Sequence, residues 1–302
     1  MTHVAVLMGG WSAEREVSLV SGRACAEALE RRGFRVSRVE VDERLPAVLT
    51  RLRPDVVFNA LHGRLGEDGR VQGLLDLLGI PYTHSGVRAS AIAMHKPTAL
   101  RLFQSAGLPV PEGRVMPAAE VAEAPPFPPP FVVKPVDEGS SIDVELVLRA
   151  EDLARVGHKL AERSRPVLVE RYIPGLELTC AVLDGRPLAV TEVAPREGFY
   201  DYRAKYTPGI AEHRLPAPIP PRVYERVMEI ARCAHLLLGC RGLTRADLRF
   251  DPERGEAGLA LLEINTQPGM TPLSLAPEQA AYCGLSFEDL VVRLVELAAC
   301  DP

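Results

Sequence analysis

The first 85 residues alternate between short apolar strands and amphipathic helices, and this order limits the chain to few folds. An apolar run from Val4 to Met8 precedes Gly9-Gly10 and a helical pattern that ends near Gly33. The stretches FRVSRVEVD, LPAVLTRLR, DVVFNALHG and DGRVQGLLDLLG then read as strand, helix, strand and helix. This alternation is typical of a parallel sheet covered by helices. It predicts an N-terminal α/β unit that ends near Ser85.

The rest of the chain predicts α+β structure. A helical segment is interrupted at Pro97, and the proline-rich residues 117–130 read as an extended, stiff connector. Strands, a hairpin and a helix follow to about Leu183 and predict a small α+β unit. Residues 194–221 lack periodicity and are typical of a lid loop. A helix, two strands and a closing helix complete the chain.

Composition narrows the classes of function. The chain has 302 residues, 47% of them apolar, and a net charge of −5 without a basic run, which argues against nucleic-acid binding. No apolar run approaches the ~20 residues of a membrane span, and the cysteines show no C-x-x-C pair. We therefore expect a cytoplasmic, enzyme-like protein with small-molecule partners and no membrane association.

Two neighbouring strands near the C-terminus carry oxygen ligands. In TRADLRFD and LALLEIN, Asp247, Glu263 and Asn265 can project from adjacent strands, and residues two apart share a face. Such ligands suit Mg²⁺ when substrate phosphates complete its shell. An isolated E-x-N pair fits a polar solvent face better. The apolar lead-in, Arg245 and the TQPGM turn favour a metal site.

Lysine is rare in this chain, and one lysine stands just before a loop suited to phosphate. Arginine supplies most cationic side chains, and the only lysines are Lys96, Lys134, Lys159 and Lys205. Lys134 ends a strand before Gly139, Ser140 and Ser141, small residues whose amides can close over phosphates. The same letters also fit an ordinary hairpin turn.

Glu14 and His62 follow the first and third predicted strands. Glu14 near a helix start can pair with an ammonium group, although the helix dipole alone also favours an acid there. His62 ends a parallel strand, where α/β sheets bind ligands, but a lone histidine is more often structural. The glycines after the first strand lack the third glycine of a dinucleotide fingerprint, which disfavours an NAD-dependent reductase.

Six motifs in order resemble those of the D-alanine–D-alanine ligases of the ATP-grasp superfamily. They are GGWSAEREVS, LHGRLGEDGRVQG, PYTHSG, KPVDEGSS, FYDYRAKY and LLEINTQPGMTPLSL. The resemblance implies a three-domain ATP-grasp fold: an N-terminal parallel α/β (preATP-grasp) domain over residues 1–95, a central domain over 96–180, and a C-terminal domain over 181–302 with the lid. ATP would lie between the last two.

The resemblance also implies an activity and a role for each matching residue. Two D-alanines would be joined through an acyl phosphate for peptidoglycan synthesis, with ATP and two Mg²⁺ (or Mn²⁺) ions, by a homodimer. The implied ATP contacts are Lys96, Lys134, Ser140, Ser141, Glu170 and Glu177. The implied metal ligands are Asp247, Glu263 and Asn265.

Substrate roles follow from the same resemblance. Glu14, with His62 nearby, would bind the first D-alanine, and Ser274 with the Leu275 amide would bind the carboxylate of the second. Arg245 and the Gly269 amide would form the oxyanion hole. Lys205 and Tyr206 would belong to the lid, and Tyr206, Ser140 and Glu14 would form a hydrogen-bonded triad.

Two departures from the family pattern and several rival functions stay open. Asp143 stands where many relatives have Gly, and His95 stands where Asp is frequent; we expect Asp143 to point outward. The rivals are a D-alanine–D-lactate ligase, another ATP-grasp carboxylate–amine ligase and a non-catalytic nucleotide-binding protein. Tyr206 favours the dipeptide ligase, and the presence of Asp247, Glu263 and Asn265 disfavours a non-catalytic protein.

Overall fold

Three β-sheets follow one another along the chain. The computed structural model describes residues 1–139, 143–161, 163, 165–195, 211–271 and 274–301. Within these residues no helix is both long enough and apolar enough to cross a membrane.

The first sheet is parallel, as the alternation of strands and helices predicts. Its strands are β1 (His3–Gly9), β2 (Arg35–Val41) and β3 (Val56–Asn59), and its helices are α1 (Arg15–Arg31), α2 (Leu45–Leu52) and α3 (Arg70–Leu77). The order is β2-β1-β3. Gly33 has a φ of +80° just after α1, so glycine suits this helix end.

A broken helical segment leads out of the first sheet. Its two parts are α4 (Val87–Met94) and α5 (Lys96–Ser105), with Pro97 in the first turn of α5, as predicted. Both helices pack on the C-terminal part of the chain, because Ala89 and Phe103 share a core with Ile230. This packing carries Lys96 toward the C-terminal sheet.

The second sheet is antiparallel. Its strands are β4 (Gly113–Pro117), β5 (Phe131–Pro135), β6 (Glu145–Val147) and β7 (Pro166–Arg171), in the order β4-β7-β5-β6, and its helix is α6 (Asp152–Ala161). The prediction of an extended connector over residues 117–130 is wrong in part. A 3₁₀ turn covers Ala118–Glu120, and Val121 and Phe127 are buried in the core of this sheet. The apolar side chains pull the segment onto the sheet.

The third sheet is antiparallel and forms the C-terminal part of the molecule. Its strands are β8 (Leu176–Leu183), β9 (Arg186–Pro195), β10 (Ala211–Arg214), β11 (Leu243–Phe250) and β12 (Leu259–Asn265), and the helices are α7 (Pro221–Leu238), α8 (Leu275–Tyr282) and α9 (Phe287–Glu296). The order is β10-β9-β8-β11-β12.

Two sequence expectations change at this sheet. Strand β8 was expected in the central unit, but it pairs with β9 and β11. The change of sheet therefore lies between β7 and β8, although the division into three domains stays a prediction. The loop expected over residues 194–221 is shorter, since β10 pairs with β9.

The first and third parts share one hydrophobic core. Met8 and Phe58 of the parallel sheet belong to the same buried cluster as Leu243 of β11 and Leu290 of α9. This packing brings the carboxyl ends of β1 and β3 toward the end of β12. The predicted site residues of both parts therefore meet.

Candidate active site

Strands β11 and β12 present four of the predicted site residues on one face. Arg245 lies opposite Asn265 and Asp247 lies opposite Glu263 in the antiparallel register. Cross-strand partners share a face, as do residues two apart. The expectation that Asp247, Glu263 and Asn265 come together is therefore met by the backbone.

Asp247 and Asn265 each have polar neighbours on this face. The Arg245 guanidinium binds both Asp247 oxygens, with Nε–Oδ1 of 2.8 Å and Nη2–Oδ2 of 2.7 Å. Thr179 donates its hydroxyl to Asp247 Oδ1 at 2.8 Å. The Gln267 amide donates to Asn265 Oδ1 at 2.7 Å. Two carboxylates and an amide oxygen on one strand pair are a donor set that fits a hard cation such as Mg²⁺.

Lys96 reaches this face from the start of α5. Its backbone amide donates to the Val136 carbonyl at 2.9 Å, and its Nζ lies 3.1 Å from Glu263 Oε2 and donates to the Glu138 carbonyl at 2.5 Å. Burial opposes its charge, but the nearby carboxylates, led by Glu263, raise the pKa of Lys96. It is a buried ammonium at every ordinary pH.

A pocket of about 820 Å³, including space open to solvent, lies between the second and third sheets. Lys134 Nζ lies 2.6 Å from Glu170 Oε2, and both side chains are buried. Glu170 is 2% exposed, and its Oε1 has no hydrogen-bond partner among the described residues. Glu177 lines the same pocket and pairs with Arg249 at 3.7 Å. The unpaired Glu170 oxygen suits a ligand that donates a hydrogen bond.

Arg249 is a pocket residue that the sequence reasoning missed. It donates to the carbonyls of Ile173 and Gly175 at 3.0 and 2.8 Å, and so fixes the segment between β7 and β8. Its guanidinium carbon also lies 5.6 Å from the Tyr172 ring centroid. The alternation of Arg245, Asp247 and Arg249 along β11 could have identified it.

A second pocket of about 890 Å³ adjoins the first and is open to solvent. Its lining includes Glu14, His62, Glu67, Arg245, Asn265, Gly269, Ser274 and Leu275. Lys96, Gly139 and Glu263 line both pockets. The geometry therefore joins two binding spaces at the Lys96–Glu263 ion pair.

Glu14 and His62 lie where the parallel strands end, as predicted. Glu14 is the N-cap residue of α1 and is buried. Ser12 ties the two loops together by donating its hydroxyl to the His62 carbonyl at 2.7 Å. Burial lowers the pKa of His62 against the opposing charge of Glu14, so the imidazole is neutral at pH 7.

Glu67 is a second site residue that the sequence reasoning missed. It is 8% exposed and lines the same pocket as Glu14. Burial, reinforced by the charge of Glu14, raises the pKa of Glu67 to about 8. Its only sequence signal is its place in the motif LHGRLGEDGRVQG, because burial depends on the packed fold.

The turn after β12 and the start of α8 form the far wall of this pocket. Ser274 is the N-cap residue of α8, and its Oγ accepts a hydrogen bond from the Thr271 amide at 2.9 Å. A Cβ atom at Gly269 would lie 2.9 Å from Ser274 Oγ. Glycine at position 269 therefore permits the close approach between this turn and the Ser274 hydroxyl.

The two departures from the family pattern both point away from the pockets. Asp143 has a φ of +60°, and its carboxylate pairs with Arg163 at 2.7 Å. His95 is exposed, with Nδ1 2.7 Å from Thr98 Oγ1. The expectation that Asp143 points outward is met. Four predicted site residues, Ser140, Ser141, Lys205 and Tyr206, lie outside the described residues.

Known proteins are similar to this chain in sequence and in fold. Family models described as D-ala D-ala ligase N-terminus and C-terminus match residues 46–85 and 102–296. A D-alanine–D-alanine ligase of Acidiphilium cryptum is 55% identical over 99% of each chain, and one of Xanthobacter autotrophicus is 53% identical over 98% of each.

Two crystal structures extend the comparison to the fold. A D-alanine–D-alanine ligase of Bacillus anthracis has a TM-score of 0.86 at 30% identity and covers 98% of this chain and 97% of its own. The same enzyme complexed with ATP has a TM-score of 0.83 at 29% identity, with 98% and 96% covered. The fold is thus the α/β and α+β ATP-grasp architecture that the motifs predict, with its two adjoining pockets. The chain belongs to the D-alanine–D-alanine ligase family.

Proposed function

We propose that this chain is an ADP-forming carboxylate–amine ligase that uses ATP to join two D-alanines into D-alanyl-D-alanine. The observation that carries the proposal is the meeting of two pockets at Lys96 and Glu263. One pocket suits a nucleotide and the other a small zwitterion. The family membership and the names of the curated relatives support the same activity.

ATP would occupy the pocket between the second and third sheets. Lys96 and Lys134 would contact its phosphates as point charges, since a buried ammonium suits phosphate oxygens. Glu170 and Glu177 would bind adenine and ribose; an adenine amino group would satisfy the unpaired Glu170 Oε1. Ser140 and Ser141 would cover the phosphates.

Asp247, Glu263 and Asn265 would hold two Mg²⁺ or Mn²⁺ ions. Bound there, the ions would neutralise phosphate charge. The residues would supply hard oxygen ligands from one rigid strand pair, with Thr179 orienting Asp247. These oxygen ligands are the structural observation that supports divalent-ion binding at this site.

The two D-alanines would occupy the adjoining pocket. The Glu14 carboxylate would pair with the ammonium of the first, beside neutral His62. Ser274 and the Leu275 amide, at the N-terminus of α8, would bind the carboxylate of the second, with Lys205 from the lid. Tyr206, Ser140 and Glu14 would complete a hydrogen-bonded triad.

Phosphorylation explains why the reaction needs ATP. A free carboxylate resists amines because it is anionic and oxide is a poor leaving group. Transfer of the γ-phosphoryl group to a carboxylate oxygen of the first D-alanine would release ADP. The free amine of the second D-alanine, having lost one proton, would attack the acyl carbon. Arg245 and the Gly269 amide would stabilise the tetrahedral oxygen until phosphate leaves.

We further propose three domains, a homodimeric assembly and a cytoplasmic location. These features come from the family resemblance and fit an enzyme that acts on soluble amino acids. The resemblance implies domain boundaries near residues 95 and 180, and the pairing of β8 with β9 and β11 favours a second boundary between β7 and β8 instead. Size-exclusion chromatography with light scattering would test the dimer.

One experiment tests the activity and its rivals. ADP release and products would be measured at neutral pH with ATP, Mg²⁺ and D-alanine, L-alanine, or D-alanine with D-lactate. We expect D-alanyl-D-alanine from D-alanine alone and no product from L-alanine. A preference for the D-lactate ester would favour a D-alanine–D-lactate ligase. The absence of ADP would favour a non-catalytic nucleotide-binding protein.

A further inference from the structure

Gln267 lies in the turn after β12, between the proposed metal ligand Asn265 and Gly269, whose amide is proposed for the oxyanion hole. It stands two residues after Asn265 and two before Gly269, and it is 2% exposed. Nothing in the chemistry proposed above uses its side chain. A buried amide must have hydrogen-bond partners, so the identity of those partners indicates its role.

The Gln267 side chain reaches from the C-terminal sheet to the N-terminal sheet. Its Oε1 accepts a hydrogen bond from Asn59 Nδ2 at 2.9 Å, and its Nε2 donates to the Leu61 carbonyl. The two polar groups of the Gln267 side chain therefore hold the end of β3 and the loop that follows.

Asn59 extends this connection through the His62 loop. Its Nδ2 also donates to the Gly66 carbonyl at 2.9 Å, and its Oδ1 accepts from the Leu61 amide at 3.2 Å. Asn59 is fully buried at the end of β3. The side-chain amide of Asn59 therefore links Gln267 to Gly66, which directly precedes Glu67.

The backbone of Gln267 is fixed on its own side as well. Its amide donates to Asn265 Oδ1, the side-chain oxygen of a proposed metal ligand. One residue is thus bonded to the proposed metal site and to the proposed pocket of the first substrate. A change in this contact would shift the two sides relative to each other.

We propose that Gln267 is a positioning residue. It holds the loop after β3 (residues 60–67), which lines the proposed pocket of the first substrate, in register with the proposed metal ligands and the turn at Gly269. The inference rests on the proposed ligase function and deepens it. A carboxylate held from the N-terminal side must meet a phosphoryl group held from the C-terminal side. An error of about 1 Å in such an approach can cost about a hundredfold in rate.

Gln72 provides a matched control for the loss of a buried amide. It is 1% exposed, and its Nε2 donates to the same Gly66 carbonyl at 2.9 Å. It makes no hydrogen bond to the β12 turn among the described contacts. When Gln72 is replaced by Met, Asn59 still donates to Gly66, so the loop keeps its connection to Gln267.

The test compares Gln267→Met with Gln72→Met in the full chain. For Gln267→Met we expect the apparent KM for D-alanine to rise by about tenfold or more and the KM for ATP to stay within about twofold. For Gln72→Met we expect both constants to stay within about twofold, with a similar loss of thermal stability. Gln267→Asn, which keeps the amide but shortens the side chain, should fall between wild type and Gln267→Met; it replaces Gln267→Met if that variant does not fold.

Three results would overturn the inference. Equal kinetic effects of the Gln267 and Gln72 variants would reduce Gln267 to a core residue. A parallel rise of both KM values in the Gln267 variants would indicate general loosening rather than loss of register. A wild-type chain that makes no dipeptide would instead remove the proposed function, and the inference with it.

Discussion

Lys96 Nζ and Glu263 Oε2 lie 3.1 Å apart at the boundary between the two pockets. The lysine begins α5 and the glutamate stands near the end of β12, 167 positions later in the sequence. Both belong to the lining of each pocket. The pair thus marks the boundary near which the proposed phosphoryl transfer would take place.

Replacing Glu263 by Gln should remove ADP formation while the fold remains. The variant loses one negative ligand but keeps an oxygen that can accept from Lys96, and Lys96 also keeps the Glu138 carbonyl. We expect ADP release to fall by about a hundredfold or more, as for other groups that stabilise developing charge. Coupled-enzyme detection of ADP measures this, with circular dichroism to check the fold.

Glu253→Gln is the control, because Glu253 is an exposed carboxylate in the turn before β12. It should leave ADP release unchanged. Retained activity in Glu263→Gln would remove the metal-ligand assignment.

Glu67 should make the free energy of unfolding depend on pH in the absence of ligands. The folded chain keeps this proton up to about pH 8, whereas the ordinary pKa is 4.5. Because the folded state binds more protons between these values, the stabilisation is complete below about pH 4.5 and is lost as pH rises through about 8. Urea unfolding at several pH values should show a loss of a few kcal/mol over this range that Glu67→Gln lacks.

Gln72→Met serves as the control for disturbance of the same loop without a change in a titratable group. Its free energy of unfolding should fall in parallel with that of the wild type as pH rises. A constant difference between the wild type and Glu67→Gln across the range would show that Glu67 titrates alike in both states.

Local pattern was enough to predict most elements and one face of the site. The two-residue period placed Glu263 and Asn265 together on β12, and the strand-helix alternation identified the parallel sheet. The sequence pattern counts β8 with the central unit, because no local signal marks the change of sheet between β7 and β8. Instead β8 pairs with β11, some sixty residues later.

The residues missed by the sequence reasoning depend on packing between distant segments. The pKa of Glu67 is raised because packing buries its carboxyl and also brings it near the charge of Glu14. The Gln267 side chain is bonded to Asn59 and Leu61. No local period marks such residues. Both residues stand inside the motifs on which the family resemblance rests, but the motifs alone indicated no role for them.

Asp143→Gly should leave nucleotide use nearly unchanged. Glycine removes the cost of about 1 kcal/mol for a left-handed backbone, and it also removes an exposed ion pair with Arg163 worth about 0–1 kcal/mol. The two effects oppose each other, so the free energy of unfolding should change by less than about 1 kcal/mol. Because the Asp143 carboxylate turns to Arg163, the KM for ATP should change by less than about threefold.

Arg163→Ala is the companion variant, since it removes the ion pair but leaves the backbone cost. It should be the less stable of the two. A large fall in the KM for ATP of Asp143→Gly would indicate that the carboxylate acts on the nucleotide after all.

Gly269→Ala should damage the ligation half of the reaction. The added Cβ would lie 2.9 Å from Ser274 Oγ, so either the hydroxyl or the turn must move. The same change would displace the Gly269 amide from the proposed tetrahedral oxygen, and we expect kcat/KM for D-alanine to fall by about a hundredfold.

Gly73→Ala is the control. Its Cβ would meet only Val87 Cγ2, at 3.8 Å. Gly73 lies inside α3, where Ala is favoured over Gly by up to about 1 kcal/mol. That variant should keep full activity and gain stability. Normal dipeptide formation by Gly269→Ala would exclude both the close approach and the oxyanion role.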